Sequence, residues 1–172
     1  MRNEKLKVVV EGGLMVALAL VLSFIKIFSA PQGGSVTLGS MIPIILFALR
    51  HGVGPGLLAG TVHGFVQLII EPFVVHPVQL VLDYILAFGL LGLAGLFQDR
   101  PALGTTVAVT GRFVSHFIAG VIWFGASAPE GMNVWLYSFL YQASYLVPEL
   151  IISVVVINYV LKPFLKKKVS LG

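Results

Sequence analysis

The chain has 172 residues, of which 58% are hydrophobic and only 10% charged, with 11 Lys and Arg against 7 Asp and Glu. A water-soluble domain carries about 25% charged residues, so this composition excludes an ordinary soluble fold and makes lipid the main solvent. Cysteine is absent, which excludes disulfides, thiolate chemistry and cysteine-based metal sites.

At about 20 apolar residues per crossing, the length accommodates roughly six membrane spans with short loops, as one domain without a soluble appendage. The first apolar segment runs from about Leu6 to Phe28. Arg2, Lys5 and Lys7 ahead of its apolar run Gly12 to Phe24 resemble the start of a secretion signal, but Lys26 interrupts the run's end and Ser29-Ala30 is followed by Pro31. The segment therefore reads as a retained first span. Pro31-Gln32-Gly33-Gly34-Ser35 is an irregular loop. The second segment, about Leu38 to Arg50, is short and contains Pro43, which predicts a bent or incomplete crossing. The third runs from about Val53 to Ile70 and stops at Glu71-Pro72. The fourth, about Pro77 to Phe97, ends at Gln98-Asp99-Arg100-Pro101. The fifth, about Thr105 to Phe124, gives way to the polar loop Gly125 to Asn133. The sixth, about Val134 to Leu165, is overlong and finishes in Lys166-Lys167-Lys168.

Charge sets the expected orientation. With the N-terminus in the cytoplasm, Arg2, Lys5, Lys7, Arg50, Arg100, Arg112, Lys162, Lys166, Lys167 and Lys168 fall at cytoplasmic ends, and only Lys26 of the 11 basic residues points outward. The positive-inside rule then predicts an all-α membrane protein of six transmembrane helices with both termini cytoplasmic. Five or seven spans would strand one terminal basic cluster on the wrong side. Basic residues distributed in this way carry no nucleic-acid signal.

Several polar and aromatic side chains fall inside these spans. Asp83 lies about a turn and a half into the fourth, where an ionised carboxylate costs about 2.5 to 3.5 kcal/mol at mid-membrane. It either reaches water at the interface or faces a polar cavity or a cation. His116, in the outer half of the fifth span, is either a packing hydrogen-bond donor or a ligand contact. Trp135, Tyr137, Tyr141, Gln142 and Tyr145 open the sixth span, where aromatics commonly form an interfacial belt. Asp83, Tyr84, His116, Trp123, Phe124, Tyr137 and Gln142 come from three spans, yet the topology places all of them in the outer leaflet. One acid among aromatic faces suits a flat organic cation, and His116 and Gln142 add orienting hydrogen bonds. No nucleophile and base stand at a useful spacing.

Gly13 and Ala17 in the first span, and Gly56 with Ala59-Gly60 in the third, are small residues about four apart, the spacing that lets helices approach closely. The sequence has no GxxxxGK[ST] phosphate loop and no two similar halves of the kind many secondary transporters use. A ligand cavity without an engine points to a binding subunit that borrows energy from partners.

Over nearly its whole length the chain resembles the thiamin-specific substrate-binding subunits (S-components) of bacterial energy-coupling-factor vitamin importers. The resemblance is carried by Glu11-Gly12-Gly13-Leu14-Met15-Val16-Ala17-Leu18-Ala19, Pro31-Gln32-Gly33-Gly34-Ser35-Val36, Ile42-Pro43-Ile44 and His76-Pro77-Val78-Gln79-Leu80-Val81-Leu82-Asp83-Tyr84. Further on, it is carried by His116-Phe117-Ile118-Ala119-Gly120-Val121, Phe124-Gly125-Ala126-Ser127-Ala128-Pro129-Glu130-Gly131 and Val134-Trp135-Leu136-Tyr137-Ser138. It implies the six-helix S-component fold in the bacterial cell membrane, capture of thiamin from outside, and work with a membrane coupling subunit and two ATPase subunits. No cofactor, metal or enzymatic step is implied. Asp83 and Tyr84 match the family's acid and tyrosine pair, His116 its ligand histidine, Tyr137 its ligand tyrosine, and Gln142 its amide, which is often Asn. Phe124 falls where some members have a stacking Trp, with Trp123 beside it as a substitute. Members often carry Glu at the position of Asp83, and some a Trp at that of Gly34. Gly13 and Ala17 match the small-residue pair that docks on the coupling subunit. Other readings are a precursor or another vitamin as ligand, an oligomeric channel or small exporter, and an intramembrane enzyme using His116 with Ser115 or Ser138. The last lacks an oxyanion-loop motif around either serine.

Overall fold

Two side-chain caps and a glycine of positive φ mark turns of this chain. The computed structural model describes residues 2–165, so the terminal Lys166–Lys168 cluster lies outside the described residues. Helix α1 (Arg2–Ser23) leads into a hairpin of β1 (Lys26–Ser29) and β2 (Ser35–Thr37), then α2 (Ile42–His51), α3 (Val53–Ile70), α4 (Pro77–Phe97), α5 (Pro101–Trp123), α6 (Val134–Val155) and a short α7 (Lys162–Leu165). His76 caps α4, its Nδ1 accepting from Val78 N–H at 3.1 Å, with Pro77 in the first turn. Asn133 caps α6 by accepting from Trp135 N–H at 2.8 Å. A proline in the first helical turn forfeits no hydrogen bond. Between α2 and α3 the reversal rests on Gly52 alone, at φ +89°, a left-handed conformation that favours glycine.

Five helices among the described residues are long and apolar enough to cross a membrane, and Ile42–His51 is a shorter apolar one. The expectation of all helix is corrected at the first loop, where β1 and β2 pair antiparallel with Phe28 opposite Val36 and Ser29 opposite Ser35. Gly33, at φ +95°, makes the turn, and Gly33 N–H donates to Ala30 O at 3.3 Å. Pro43 does not bend α2; it stands in its first turn. Ten residues of helix rise about 15 Å, half of the roughly 30 Å hydrocarbon core. The strand β2, with Val36 and Thr37 buried, precedes it in the chain. Protein covers Val36 and Thr37, and Ser35 and Thr37 line a cavity.

The half-length α2 is the centre of the bundle. Every residue from Ile42 to Leu49 is buried, enclosed by α1, α3 and α4, while Leu18, Ile69 and Ile151 on the perimeter present apolar side chains outward. Helices α3 and α4 meet backbone to backbone. A Cβ on Gly60 would lie 2.2 Å from the Phe88 carbonyl oxygen, one on Gly64 2.3 Å from that of Tyr84, and one on Gly92 2.2 Å from Leu57 N. Gly56, Gly60 and Gly64 of the third span thus serve internal packing. Gly13 differs, since a Cβ there meets nothing within 4 Å, and Ala17 on the same face is exposed.

Candidate functional site

Beneath the hairpin, α3, α4, α5 and α6 leave a polar cavity of about 110 Å³, several times the 10–15 Å³ that one water needs on this measure. Its walls include Asp83, Tyr84, His116, Phe124 and Gln142 together with Arg112, Tyr141, Tyr145 and Glu149. Asp83 lies in a π-helical stretch, Val81–Leu86. Such a stretch inserts an extra residue per turn and re-aims the side chains around it.

A chain of hydrogen bonds fixes the acid. Gln79 Nε2 donates to Asp83 Oδ2 at 2.6 Å, and His116 Nδ1 stands 2.8 Å from Asp83 Oδ1. Arg112 Nε, which can only donate, contacts His116 Nε2 at 3.2 Å. Nε2 is therefore the acceptor, and a neutral His116 carries its proton on Nδ1 and donates it to Asp83. The Arg112 guanidinium rests 4.1 Å above the Phe88 ring centroid, so cation–π attraction and the histidine hold the cation within the bundle. This corrects the expectation that Arg112 marks a cytoplasmic end. It sits eleven residues into α5, too deep to extend to water there, and lines the cavity instead.

The remaining polar groups tie the loops to the helices. Tyr84 Oη accepts from Phe73 N–H and donates to Glu71 O, both at 2.8 Å, fastening the α3–α4 connection. Gln142 Nε2 donates to the His116 carbonyl at 3.2 Å, and its Oε1 accepts from the Tyr145 hydroxyl. Gln32 N–H donates to Tyr141 Oη at 2.7 Å, pinning the hairpin loop to α6. Gly34 passes so near Tyr145 that a Cβ would lie 2.4 Å from ring carbon Cε1; a Trp there would require the loop or ring to move. At the mouth, Lys26 Nζ reaches both oxygens of Glu71 at 2.6 and 2.7 Å.

Two of the seven predicted residues lie off the cavity wall. Trp123 stacks on the His76 ring, centroids 5.2 Å apart, and Tyr137 Oη donates to Gln32 Oε1 at 3.4 Å. Both sit at the rim, and neither is a wall residue. Phe124 lines the cavity and stacks on Phe73, with centroids 5.8 Å apart. Sequence reasoning missed Arg112, Glu149 and Gln79 as wall residues. A signal existed for the first two, since each is a charge inside an otherwise apolar run, and Arg112 precedes His116 by one helical turn.

A family described as Thiamine transporter protein (Thia_YuaJ) matches residues 9–169. The chain is 39% identical to the thiamine transporter ThiT of Bacillus subtilis (strain 168), with 91% of each chain covered. It is 31% identical to the thiamine transporter ThiT of Lacticaseibacillus paracasei, over 93% of this chain and 89% of that one. A solved structure of ThiT from Listeria monocytogenes is similar with a TM-score of 0.86 at 26% identity, covering 95% of this chain and 98% of that chain.

Proposed function

The chain belongs to the thiamine transporter protein family Thia_YuaJ, and from that premise we propose that it captures thiamin at the outer face of the membrane and hands it on by docking to a coupling module. It is a multi-pass cell-membrane transport component and not an enzyme. The observation that carries the binding reading is the Asp83 carboxylate, held between Gln79 and His116 beside the rings of Phe124, Tyr84, Tyr141 and Tyr145 in one cavity. Thiamin joins a permanently cationic thiazolium to a neutral aminopyrimidine. A fixed anion attracts the first, and aromatic faces attract both through quadrupole and stacking terms. Preorganisation matters because a carboxylate already held in place loses little entropy when the ligand arrives.

Six passes with both termini inside bring the hairpin, the α3–α4 loop and the α5–α6 loop to the outer side, so the cavity opens outward. One domain, 1–172, carries both the ligand site and the docking face. Gly13 and Ala17 are on a bare face of α1, and a coupling transmembrane subunit backed by two ATPases packs there to drive release. Titration calorimetry of the purified protein in lipid nanodiscs tests the ligand. Saturable heat with thiamin is expected, and silence with thiamin beside saturable binding of another vitamin would overturn the reading. Native mass spectrometry separates thiamin from a pyrimidine or thiazole precursor by mass.

A further inference from the structure

One acid of the cavity has an acceptor still to spend. Glu149 follows Gln142 by seven residues on α6, about two turns and hence on the same face, and is only 2% exposed. Its Oε1 accepts from Thr37 N–H at 2.5 Å and from Thr37 Oγ1–H at 2.6 Å. Its Oε2 is buried and has no hydrogen-bond partner. No salt bridge among the described residues reaches it. Asp83 stands in contrast, because Gln79 occupies one of its oxygens and His116 the other. Arg112, the cation lining the same cavity, is engaged by His116 and Phe88. An unpaired buried oxygen of this kind is disfavoured in the free protein, so a donor arriving with the ligand relieves an existing penalty besides forming a bond.

We propose that Glu149 Oε2 is a specificity-determining acceptor that reads a neutral N–H donor at the end of the ligand remote from its cation. The inference rests on the thiamin reading above, under which that donor is the exocyclic amine of the pyrimidine. The thiazolium goes to Asp83 and the aromatic rings, and it carries no N–H. The hydroxyethyl group, thiamin's other donor, is attached to the thiazolium and stays at the cation's end. The aminopyrimidine is left to face Glu149. A carboxylate there accepts from an amine and repels an oxygen in its place, so the residue both binds and discriminates.

The test measures affinity by calorimetry for thiamin and for the analogue whose exocyclic amine is replaced by oxygen, on wild type, Glu149→Gln and Thr37→Val. Glu149→Gln keeps the shape and an oxygen for Thr37 but turns the free acceptor into a donor. Wild type should prefer thiamin by at least about 10-fold, and Glu149→Gln should bind thiamin about 10- to 100-fold more weakly and lose the preference. Thr37→Val removes one donor to Oε1 and leaves Oε2 alone, so it should keep the preference whatever its overall affinity. Equal loss for both ligands in Glu149→Gln would make Glu149 a staple for Thr37 only and overturn the inference. Should that variant fail to fold, equal affinity of wild type for the two ligands overturns it independently. Wild type that binds neither ligand, while another vitamin saturates it, would sink the thiamin reading itself and this inference with it.

Discussion

Replacing Asp83 by Asn tests the charge logic of the site with almost no change of volume. The native carboxylate accepts from two donors, Gln79 Nε2 at 2.6 Å and His116 Nδ1 at 2.8 Å. An Asn side chain has one oxygen, so its NH2 must face one of those donors. His116 cannot yield by changing tautomer, because Nε2 already accepts from Arg112 Nε at 3.2 Å. Gln79 can turn its amide only by setting NH2 against Val75 N–H and losing its bond to the Phe73 carbonyl. The variant therefore loses the full charge and disturbs one further hydrogen bond. A hydrogen bond to a charged group is worth about 1.5 to 3 kcal/mol, so the dissociation constant for thiamin should rise by about one to two orders of magnitude. Calorimetry in nanodiscs reads this directly, with thermal unfolding of the free variant as a control for fold. A rise of less than about 3-fold in a folded variant would place the ligand's cation away from Asp83 and refute the reasoning.

Three further outcomes follow from the packing. Gly60→Val brings a Cβ to 2.2 Å from the Phe88 carbonyl oxygen, and overpacking of this kind costs typically 1–3 kcal/mol; a lowered unfolding temperature in detergent is expected, and an unchanged one would contradict the close α3–α4 contact. Phe124→Ala removes a cavity wall and should weaken thiamin binding by about 10-fold, whereas Trp123→Ala, at the rim against His76, should cost less than about 3-fold; the reverse order in a fluorescence or calorimetric titration would place Trp123 on the ligand. Gly13→Leu or Ala17→Trp should abolish ATP-dependent uptake into vesicles containing the coupling module while purified protein still binds thiamin, since a Cβ at Gly13 meets nothing inside the chain. Survival of uptake in both variants would move the docking face elsewhere.

Membrane residence and the order of the apolar segments were legible in the sequence, because hydropathy is a sum over local composition and needs no knowledge of neighbours. The same is true of the helix starts at Pro77 and Val134, where a capping His or Asn stands one residue ahead. Asp83, Tyr84, His116, Phe124 and Gln142 reach one cavity, as their common leaflet suggested. Depth alone did not say which way each side chain points. Successive helical residues are rotated by about 100°, so Trp123 and Phe124 share a level yet face the rim and the cavity respectively. The facing of α4 depends on its π-helical stretch at Val81–Leu86 and on the glycine contacts that hold it to α3, neither of which has a local sequence signature. Charge counting likewise assigned Arg112 to a membrane surface, because counting treats each cation as free to reach water. Only the packed bundle, with Phe88 beneath the guanidinium and His116 beside it, made the interior its place. The buried acceptor of Glu149 is also a tertiary fact: it arises because β2, 112 residues earlier in the chain, comes to occupy one oxygen of the carboxylate and leaves the other unpaired.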